Sequence, residues 1–175
     1  LTIGDRGRRS SAQDLGLHAG SVLRLNDDGT VPDDNPLVGR SGAQPEIWTW
    51  GHRNPQGLAV DRATGRIWSH EHGPRGGDEI NVIKRGVNYG WPVITYGRNY
   101  SGSIITDETE RPGMAQPKTY WVPSIAPSGL AFYDGDKFPR WRGNLFVGAL
   151  RGQVLVRVKL DGESVVAEER LLTHF

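Results

Sequence analysis

The chain of 175 residues contains no cysteine, which excludes disulfide bonds, thiolate metal sites and a cysteine nucleophile. Neither sign of charge dominates, because 21 lysine and arginine residues are balanced by 20 aspartate and glutamate residues. Without a basic stripe, the sequence gives little support for nucleic-acid binding. No apolar run approaches the roughly 20 residues that a membrane-spanning helix needs. Neither a nucleic-acid partner nor a membrane span is therefore expected.

Motifs of several common enzyme classes are also absent. The sequence has no G-x-S-x-G, no P-loop and no Rossmann fingerprint. The glycine-containing stretch GDRGRR (4–9) is not followed by a helical pattern, so it is not a phosphate-binding loop. These absences argue against a serine hydrolase of that class, a nucleotide hydrolase and a nicotinamide-dependent enzyme.

Helical periodicity is weak, whereas turn-forming residues are abundant, with 24 glycines and 11 prolines. Short runs of β-branched and aromatic residues recur instead, each closed by Gly or Asp-Gly. The predicted strands cover residues 21–26, 57–61, 66–69, 79–83, 129–133, 144–148 and 153–160. This pattern predicts an all-β fold.

Some of these strands repeat as an ordered set. The run GLAVD (57–61) returns as GLAFYD (129–134), and each is followed by a turn and a second strand. The stretch GSVLRLNDDG (20–29) returns as GQVLVRVKLDG (152–162). A repeated three- or four-stranded antiparallel unit is typical of the blades of a β-propeller, whereas a sandwich would not need this ordered repeat.

The position of the repeat along the chain predicts an incomplete propeller. Residues 1–7 resemble the end of a second strand, and residues 168–175 resemble a fourth strand. Only roughly two to three blades fit between them, whereas a closed propeller has about four to eight. Leu1 follows no initiator methionine or signal-peptide pattern, so we expect residues to be missing before it. The alternative is a small, self-contained β domain. Exposed blade edges would favour self-association.

The segment 90–124 is too long and too irregular for an ordinary turn. It contains Tyr96, Tyr100, Tyr120 and Trp121 among several glycines and prolines. Because aromatic residues favour order, we expect a structured loop that covers the mouth of the propeller channel.

The stretch GHRNPQGLAVD (51–61) places a guanidinium and an amide at the entrance to a strand. Arg53 and Asn54 come directly before Pro55, which keeps Asn54 extended. This pair suits recognition of a carboxylate or a carbonyl group. It could equally be a hydrogen-bonded corner between blades, and the spacing alone leaves both interpretations open.

The stretch EHGPRGGDEINVI (71–83) combines a glycine-rich loop with acidic residues. Carbonyl groups around Gly73 and Pro74 can approach a ligand closely, and Asp78 and Glu79 add carboxylates. Oxygen donors of this kind suit calcium better than a transition metal. The alternative is a polar β-turn with no ligand.

The histidines give no metal motif. His70 and His72 alternate along an extended segment, and His52 is near them in sequence. However, no third ligand follows at a recognisable spacing, so a histidine metal site is not predicted. Arg151, at a strand end before Gly152, would by itself be an ordinary solvated charge.

Three motifs in fixed order carry a family resemblance: GHRNPQGLA (51–59), EHGPRGGDEIN (71–81) and GVNYGWP (86–92). Together they resemble the pyrroloquinoline-quinone (PQQ) dependent soluble sugar dehydrogenases, which include aldose sugar dehydrogenases and the glucose/sorbosone dehydrogenase family. The similarity spans nearly the whole chain. It implies a six-bladed β-propeller with four-stranded antiparallel blades, of which residues 1–175 are about half, lacking N-terminal blades and the C-terminal end.

The resemblance also implies roles for individual residues. Arg53 and Asn54 would contact the cofactor, and the backbone carbonyls of Gly73 and Pro74 would bind a calcium ion that also touches the cofactor. Arg151 stands where the family has a lysine that pairs with a cofactor carboxylate, so the charge is kept but the geometry differs.

A second, structural calcium site is implied by Glu79 and the backbone of Tyr89. Trp121 would form a wall of the cofactor pocket. The family's catalytic histidine is expected upstream of Leu1, and two family arginines are expected beyond the end of the chain. No histidine of the chain matches the catalytic one: His18, His52, His70, His72 and His174.

The implied activity is oxidation of the C1 hydroxyl of aldose sugars, with hydride transfer to calcium-bound PQQ and then to an external electron acceptor. It is expected of the full-length parent and not of this chain alone. The alternative is a propeller that binds sugars or proteins without catalysis. A hydrolytic propeller of the lactonase type would need a carboxylate-rich channel, which these motifs do not supply. Family members of this kind are usually periplasmic or secreted.

Overall fold

The computed structural model describes residues 1–173, so His174 lies outside the described residues. This part of the chain contains eleven β-strands and two short 3-10 helices, at Arg9–Gln13 and Pro139–Trp141. The strands are β1 (Thr2–Ile3), β2 (Ser21–Leu23), β3 (Ile47–Trp50), β4 (Pro55–Val60), β5 (Ile67–Glu71), β6 (Asp78–Ile83), β7 (Thr119–Trp121), β8 (Pro127–Phe132), β9 (Leu145–Ala149), β10 (Val154–Asp161) and β11 (Ser164–Leu171). Neither helix is long or apolar enough to cross a membrane.

The strands form three antiparallel sheets, and within each sheet every strand pairs with its neighbour in sequence. The first sheet has the order β1-β2-β3, the second β4-β5-β6-β7 and the third β8-β9-β10-β11. Consecutive meanders of this kind are the blade pattern that the repeat predicts. The all-β prediction is confirmed, and each strand predicted from the sequence corresponds to an observed one.

Aspartate and glycine determine where the strands turn. After β4, the Asp61 carboxylate accepts hydrogen bonds from the Ala63 backbone at 3.0 Å and the Thr64 hydroxyl at 2.5 Å. Between β10 and β11, Gly162 takes a positive φ of 60° that most other residues avoid. These short turns keep the strands antiparallel and in sequence order.

The main core lies between the second and third sheets. Alternate residues of β9 and β10 are fully buried, as period-2 patterning requires, and they pack with Trp68 of β5 and Ile80 of β6. The first strands of the two sheets, β4 and β8, also lie against each other. This packing brings the loops at one end of the two sheets together.

The long insert is only partly a loop. Its residues 119–121 form β7, which pairs with β6 and completes the second sheet, a strand that the sequence analysis did not predict. Tyr96 stacks on Tyr120 with ring centroids 3.8 Å apart, which ties the rest of the insert to this strand. The aromatic residues therefore order the insert, as expected.

A substitution in a strand should lower the free energy of unfolding appreciably only where the side chain faces the core. Val156→Ala in β10, at 0% exposure, is expected to lower the free energy of unfolding of the whole protein by about 2 kcal/mol, because it removes buried methyl groups and leaves a cavity. Val166→Ala in β11, at 52% exposure, is the matched control and should change it by less than about 0.5 kcal/mol. Chemical denaturation measures both, and equal losses would contradict this description of the core.

Candidate functional site

The chain enters β4 through a tight bend at residues 51–54. Gly51 has a φ of 78°, and a Cβ at this position would lie 2.1 Å from the Asn88 side-chain oxygen, so only glycine fits. The His52 backbone then donates to the Gly20 carbonyl at 3.0 Å. The bend thereby delivers Arg53 and Asn54 to the start of β4.

The Arg53 guanidinium is held at several points. Its Nη1 donates to the carbonyls of His72 at 2.8 Å and Gly73 at 3.0 Å, and its Nη2 lies 3.3 Å from the Tyr100 hydroxyl. Its Cζ is also 5.7 Å from the centre of the Trp91 ring. A guanidinium with this many partners is restricted to one region, which favours binding of a planar anion.

Asp78 clamps the glycine-rich loop to the segment that leads into β8. One carboxylate oxygen accepts from the Gly73 backbone at 2.8 Å. The other accepts from the Ser124 hydroxyl and from the backbones of Ile125 and Ala126, at 2.7–2.9 Å. Asp78 therefore acts as a clamp between the two segments, and the calcium contact that the sequence suggested for it stays a prediction.

Close backbone packing explains the glycines in this loop. Gly77 has a φ of 72°, and a Cβ there would lie 2.5 Å from the Gly97 backbone nitrogen. A Cβ on Gly73 would lie 2.0 Å from the Gly76 carbonyl oxygen. Since such distances are prohibitive, larger residues would open the loop.

A cleft of about 390 Å³ brings several predicted residues together. Its lining residues are His72, Gly73, Pro74, Arg75, Tyr100, Ser124, Ala126 and Arg151. Arg53 borders it through its bonds to His72, Gly73 and Tyr100. Arg151 is exposed, and its side chain makes no hydrogen bond or ion pair with residues 1–173.

Two predicted cofactor residues lie elsewhere. Trp121 is buried in the core between the second and third sheets, and its Nε1 donates to Glu168 at 2.8 Å. It does not line this cleft, because β7 turns it inwards, and its expected role as a pocket wall stays a prediction. Asn54 lies beside Arg53, but its side-chain oxygen is directed towards Gly4 and not into the cleft lining.

Glu79 lies at a second, much smaller cavity. This cavity has a volume of about 10 Å³, enough for one water molecule or ion, and Glu71, Trp91 and Thr95 also line it. Burial raises the pKa of Glu79 to about 8, and repulsion from Glu71 contributes. Asn81, two residues along the same face of β6, donates to Glu79 at 3.2 Å, yet its own buried Oδ1 has no partner among residues 1–173.

Tyr89, the other expected calcium residue, does not line this small cavity. Its hydroxyl donates to the Val82 carbonyl at 2.5 Å and accepts from the Lys84 backbone at 3.0 Å. Its ring stacks on His52 at 4.6 Å, and burial raises the pKa of Tyr89 to about 12. The Tyr89 side chain is therefore a packing group, and the calcium role that the resemblance implies for the Tyr89 backbone stays a prediction.

His70 and His72 have structural contacts. His70 and His72 direct their Nε2 atoms at the carbonyls of Gly129 and Pro127, at 3.2 and 2.7 Å, and so join the second sheet to the third. Sequence reasoning gave no role to Tyr100, which the structure places against Arg53. Its only signal was an aromatic residue in a long insert.

Meander sheets packed side by side in sequence order have the architecture of β-propeller blades, and the cleft lies where two of these sheets meet. The family described as "Glucose / Sorbosone dehydrogenase" matches residues 1–175. The chain belongs to the glucose/sorbosone dehydrogenase family, and the resemblance found in the motifs is confirmed.

Individual relatives agree with this assignment. Aldose sugar dehydrogenase YliI of Escherichia coli (strain K12) is 46% identical over 175 residues, 99% of this chain and 47% of that protein. A crystal structure of glucose dehydrogenase has a TM-score of 0.96 at 52% identity, over 98% of this chain and 50% of its own. The PQQ-bound form of aldose sugar dehydrogenase from Streptomyces coelicolor has a TM-score of 0.74 at 31% identity, over 98% of this chain and 44% of its own. The chain therefore spans about half the length of these relatives, and half of their propeller.

The steric account of the loop can be tested with two glycines of similar conformation. Gly77→Ala and Gly113→Ala both place alanine at a positive φ, but no atom lies within 4 Å of a Cβ on Gly113. Gly113→Ala should cost about 1–2 kcal/mol of stability, the strain of the left-handed conformation. Gly77→Ala should cost more and also accelerate proteolysis within residues 73–77 of the whole protein. Equal proteolysis in the two variants would contradict the steric account.

Proposed function

We propose that the whole protein containing this chain oxidises the C1 hydroxyl of aldose sugars and uses PQQ and calcium. The observation that carries the proposal is the cleft, where Arg53, Arg151 and the loop of Gly73 and Pro74 meet, in a member of a sugar dehydrogenase family. A related aldose sugar dehydrogenase has been solved in its PQQ-bound form.

The residues around the cleft suit a planar quinone that carries carboxylate groups. Arg53 and Arg151 supply cations, and a guanidinium can pair with a carboxylate through two parallel hydrogen bonds. Tyr100 adds an aromatic ring, and its hydroxyl lies beside Arg53. Gly73 lacks a side chain, so the backbone can approach the ligand closely.

The cleft residues would hold PQQ and calcium, which when bound would supply a hydride acceptor and a Lewis acid for the sugar oxidation. The part played by this chain is to bind and orient: Arg53 and Arg151 hold the anionic groups, and the loop of Gly73 excludes water from one side. The reaction also requires a general base that takes the proton of the C1 hydroxyl. Because His72, the histidine that lines the cleft, is engaged by the Pro127 carbonyl, we assign the base to a part of the protein outside residues 1–175.

Calcium at the Gly73 and Pro74 carbonyls would require a local exchange of partners. The Gly73 oxygen accepts from Arg53 at 3.0 Å, so a cation at this oxygen would lie beside a guanidinium. Repulsion between the two cations would favour rotation of Arg53 towards the cofactor carboxylate. Calcium and PQQ should therefore bind together more tightly than either binds alone.

We infer a second calcium site beside Glu79, which lines the small cavity. Its carboxylate is a hard oxygen donor of the kind that calcium prefers, and the Oδ1 of Asn81, two residues along the same face of β6, is another one, without a partner among residues 1–173. Residues 1–173 hold no cluster of three or more acidic or histidine side chains that could bind a metal, so backbone oxygens would complete the ligand set. The carbonyl of Tyr89 is the one that the family resemblance implies.

We extend the proposal to the cellular setting on the resemblance alone. The protein would act in the periplasm or outside the cell and pass electrons to an external acceptor. Cell fractionation followed by immunodetection of the whole protein tests this part, and recovery only from the cytoplasm would count against it.

Reconstitution tests the activity. The whole protein with calcium and PQQ should reduce a redox dye when aldoses are added. Arg53→Ala should weaken PQQ binding by at least about tenfold, because it removes charged hydrogen bonds. Arg62→Ala is the matched control, since this exposed arginine pairs with Asp134 away from the cleft.

Absence of both dye reduction and calorimetric PQQ binding would refute the proposal. Sugar binding without dye reduction would instead support a propeller that binds sugars without catalysis.

Calcium should also stabilise the fold through Glu79. A ligand at 100 times its dissociation constant stabilises the native state by about 2.7 kcal/mol, so calcium should raise the melting temperature of the whole protein and a chelator should lower it. Glu79→Gln removes a charged ligand and should abolish most of this calcium-dependent shift. Glu163→Gln, a surface carboxylate paired with lysines, is the control and should keep it. A full shift in Glu79→Gln would contradict the site.

A further inference from the structure

A chain of buried polar groups lies directly behind Arg53 and Asn54. Thr49, His52 and Glu71 are 0%, 1% and 5% exposed. His52 Nε2 lies 2.9 Å from the Thr49 hydroxyl, and His52 Nδ1 lies 2.9 Å from Glu71 Oε1. His52 therefore holds Oε1 of Glu71 through one ring nitrogen, and Thr49 holds the other ring nitrogen of His52.

The other oxygen of Glu71 captures two consecutive backbone groups. Glu71 Oε2 accepts from the Arg53 backbone N–H at 2.6 Å and from the Asn54 backbone N–H at 3.2 Å. Hydrogen bonds to an ionised acceptor are roughly twice as strong as neutral ones. One carboxylate oxygen thus fixes the orientation of the peptide on either side of the Arg53 Cα.

These two N–H groups need a side-chain acceptor because the sheet does not supply one. Pairing between β4 and β5 is irregular at this end, where the register shifts between Pro55 and Gly57. Glu71 is the last residue of β5, and its side chain takes the place of the missing backbone carbonyl. Without the Glu71 carboxylate, two partly buried N–H donors would lose their acceptor, which is costly.

We propose that Glu71, oriented by His52 and Thr49, is a positioning residue that fixes the backbone of Arg53 and Asn54 and so directs the Arg53 side chain to the cofactor. The inference rests on the proposed function, since it assumes that Arg53 faces PQQ. Glu71 itself acts only through the backbone. Glu79 on β6 faces Glu71 across the small cavity that both residues line.

The test compares two replacements of similar length in the whole protein. Glu71→Met removes both acceptor oxygens, whereas Glu71→Gln keeps one neutral oxygen that can still accept from the backbone. Glu71→Met should raise the PQQ dissociation constant at least about tenfold and lower the turnover at saturating PQQ. Glu71→Gln should restore most of the affinity and fall within about fivefold of the unmodified protein.

A readout without cofactor separates this inference from the proposed function. Hydrogen exchange at the Arg53 and Asn54 amides should be at least about tenfold faster in Glu71→Met and a few-fold faster in Glu71→Gln. The control is Asn144→Ala, which removes a buried polar side chain directly before β9 of the third sheet, bonded to Arg157. It should lower the melting temperature but leave PQQ affinity and these two exchange rates unchanged.

Unchanged exchange at both amides in Glu71→Met would overturn the positioning role, and so would equal losses of PQQ affinity in Glu71→Met and Asn144→Ala. If Glu71→Met does not fold, Glu71→Gln is the variant to measure. Unchanged hydrogen exchange at the Arg53 and Asn54 amides in Glu71→Gln would then overturn the positioning role. If the unmodified protein fails to bind PQQ, the proposed function fails, while the exchange rates still decide whether Glu71 holds the two residues.

Discussion

Two buried carboxylates hold the candidate cofactor cleft, because the segments that form it have left the hydrogen-bonding pattern of the sheets. Glu71 accepts from the bend at Arg53 and Asn54, and Asp78 accepts from Gly73 and from the segment before β8. A loop whose backbone groups are satisfied by side chains can hold a shape that no regular strand could take. The cleft depends on these two residues more than on its own lining.

The surrounding sheets contribute rigidity and placement. The valines and leucines of β9 and β10 pack with Trp68 and Ile80, and this core holds the second and third sheets together. Arg53 comes from one end of the second sheet, and Arg151 comes from a turn of the third. The distance between the two arginines is therefore set by sheet packing and not by either loop alone.

The sequence predicted more of the fold than of the candidate site. Period-2 patterning and the repeated strand set predicted the all-β sheets, because burial of alternate residues leaves a direct trace in sequence. The short strand β7 was missed, since three residues within a polar, proline-containing insert show no alternation. The orientation of Trp121 towards the core could not be predicted, because a tryptophan in a loop-like stretch gives no sign of which way it faces. The motifs singled out Arg53 and Gly73, which the structure places in contact, but Glu71 had no signal as an acceptor, because its role follows from a register shift that only the structure reveals.

The two sets of hydrogen bonds to Asp78 affect the order in which parts of the chain can fold during synthesis. One oxygen of this residue accepts from the glycine-rich loop of the second sheet. The other accepts from backbone groups at residues 125 and 126, nearly fifty positions later in the chain. A ribosome extends the chain from its N-terminus, so the loop emerges well before its clamp is complete. The first three strands of the second sheet can pair early, but the glycine-rich loop gains its last hydrogen bonds only after β7 and the segment leading into β8 have been synthesised.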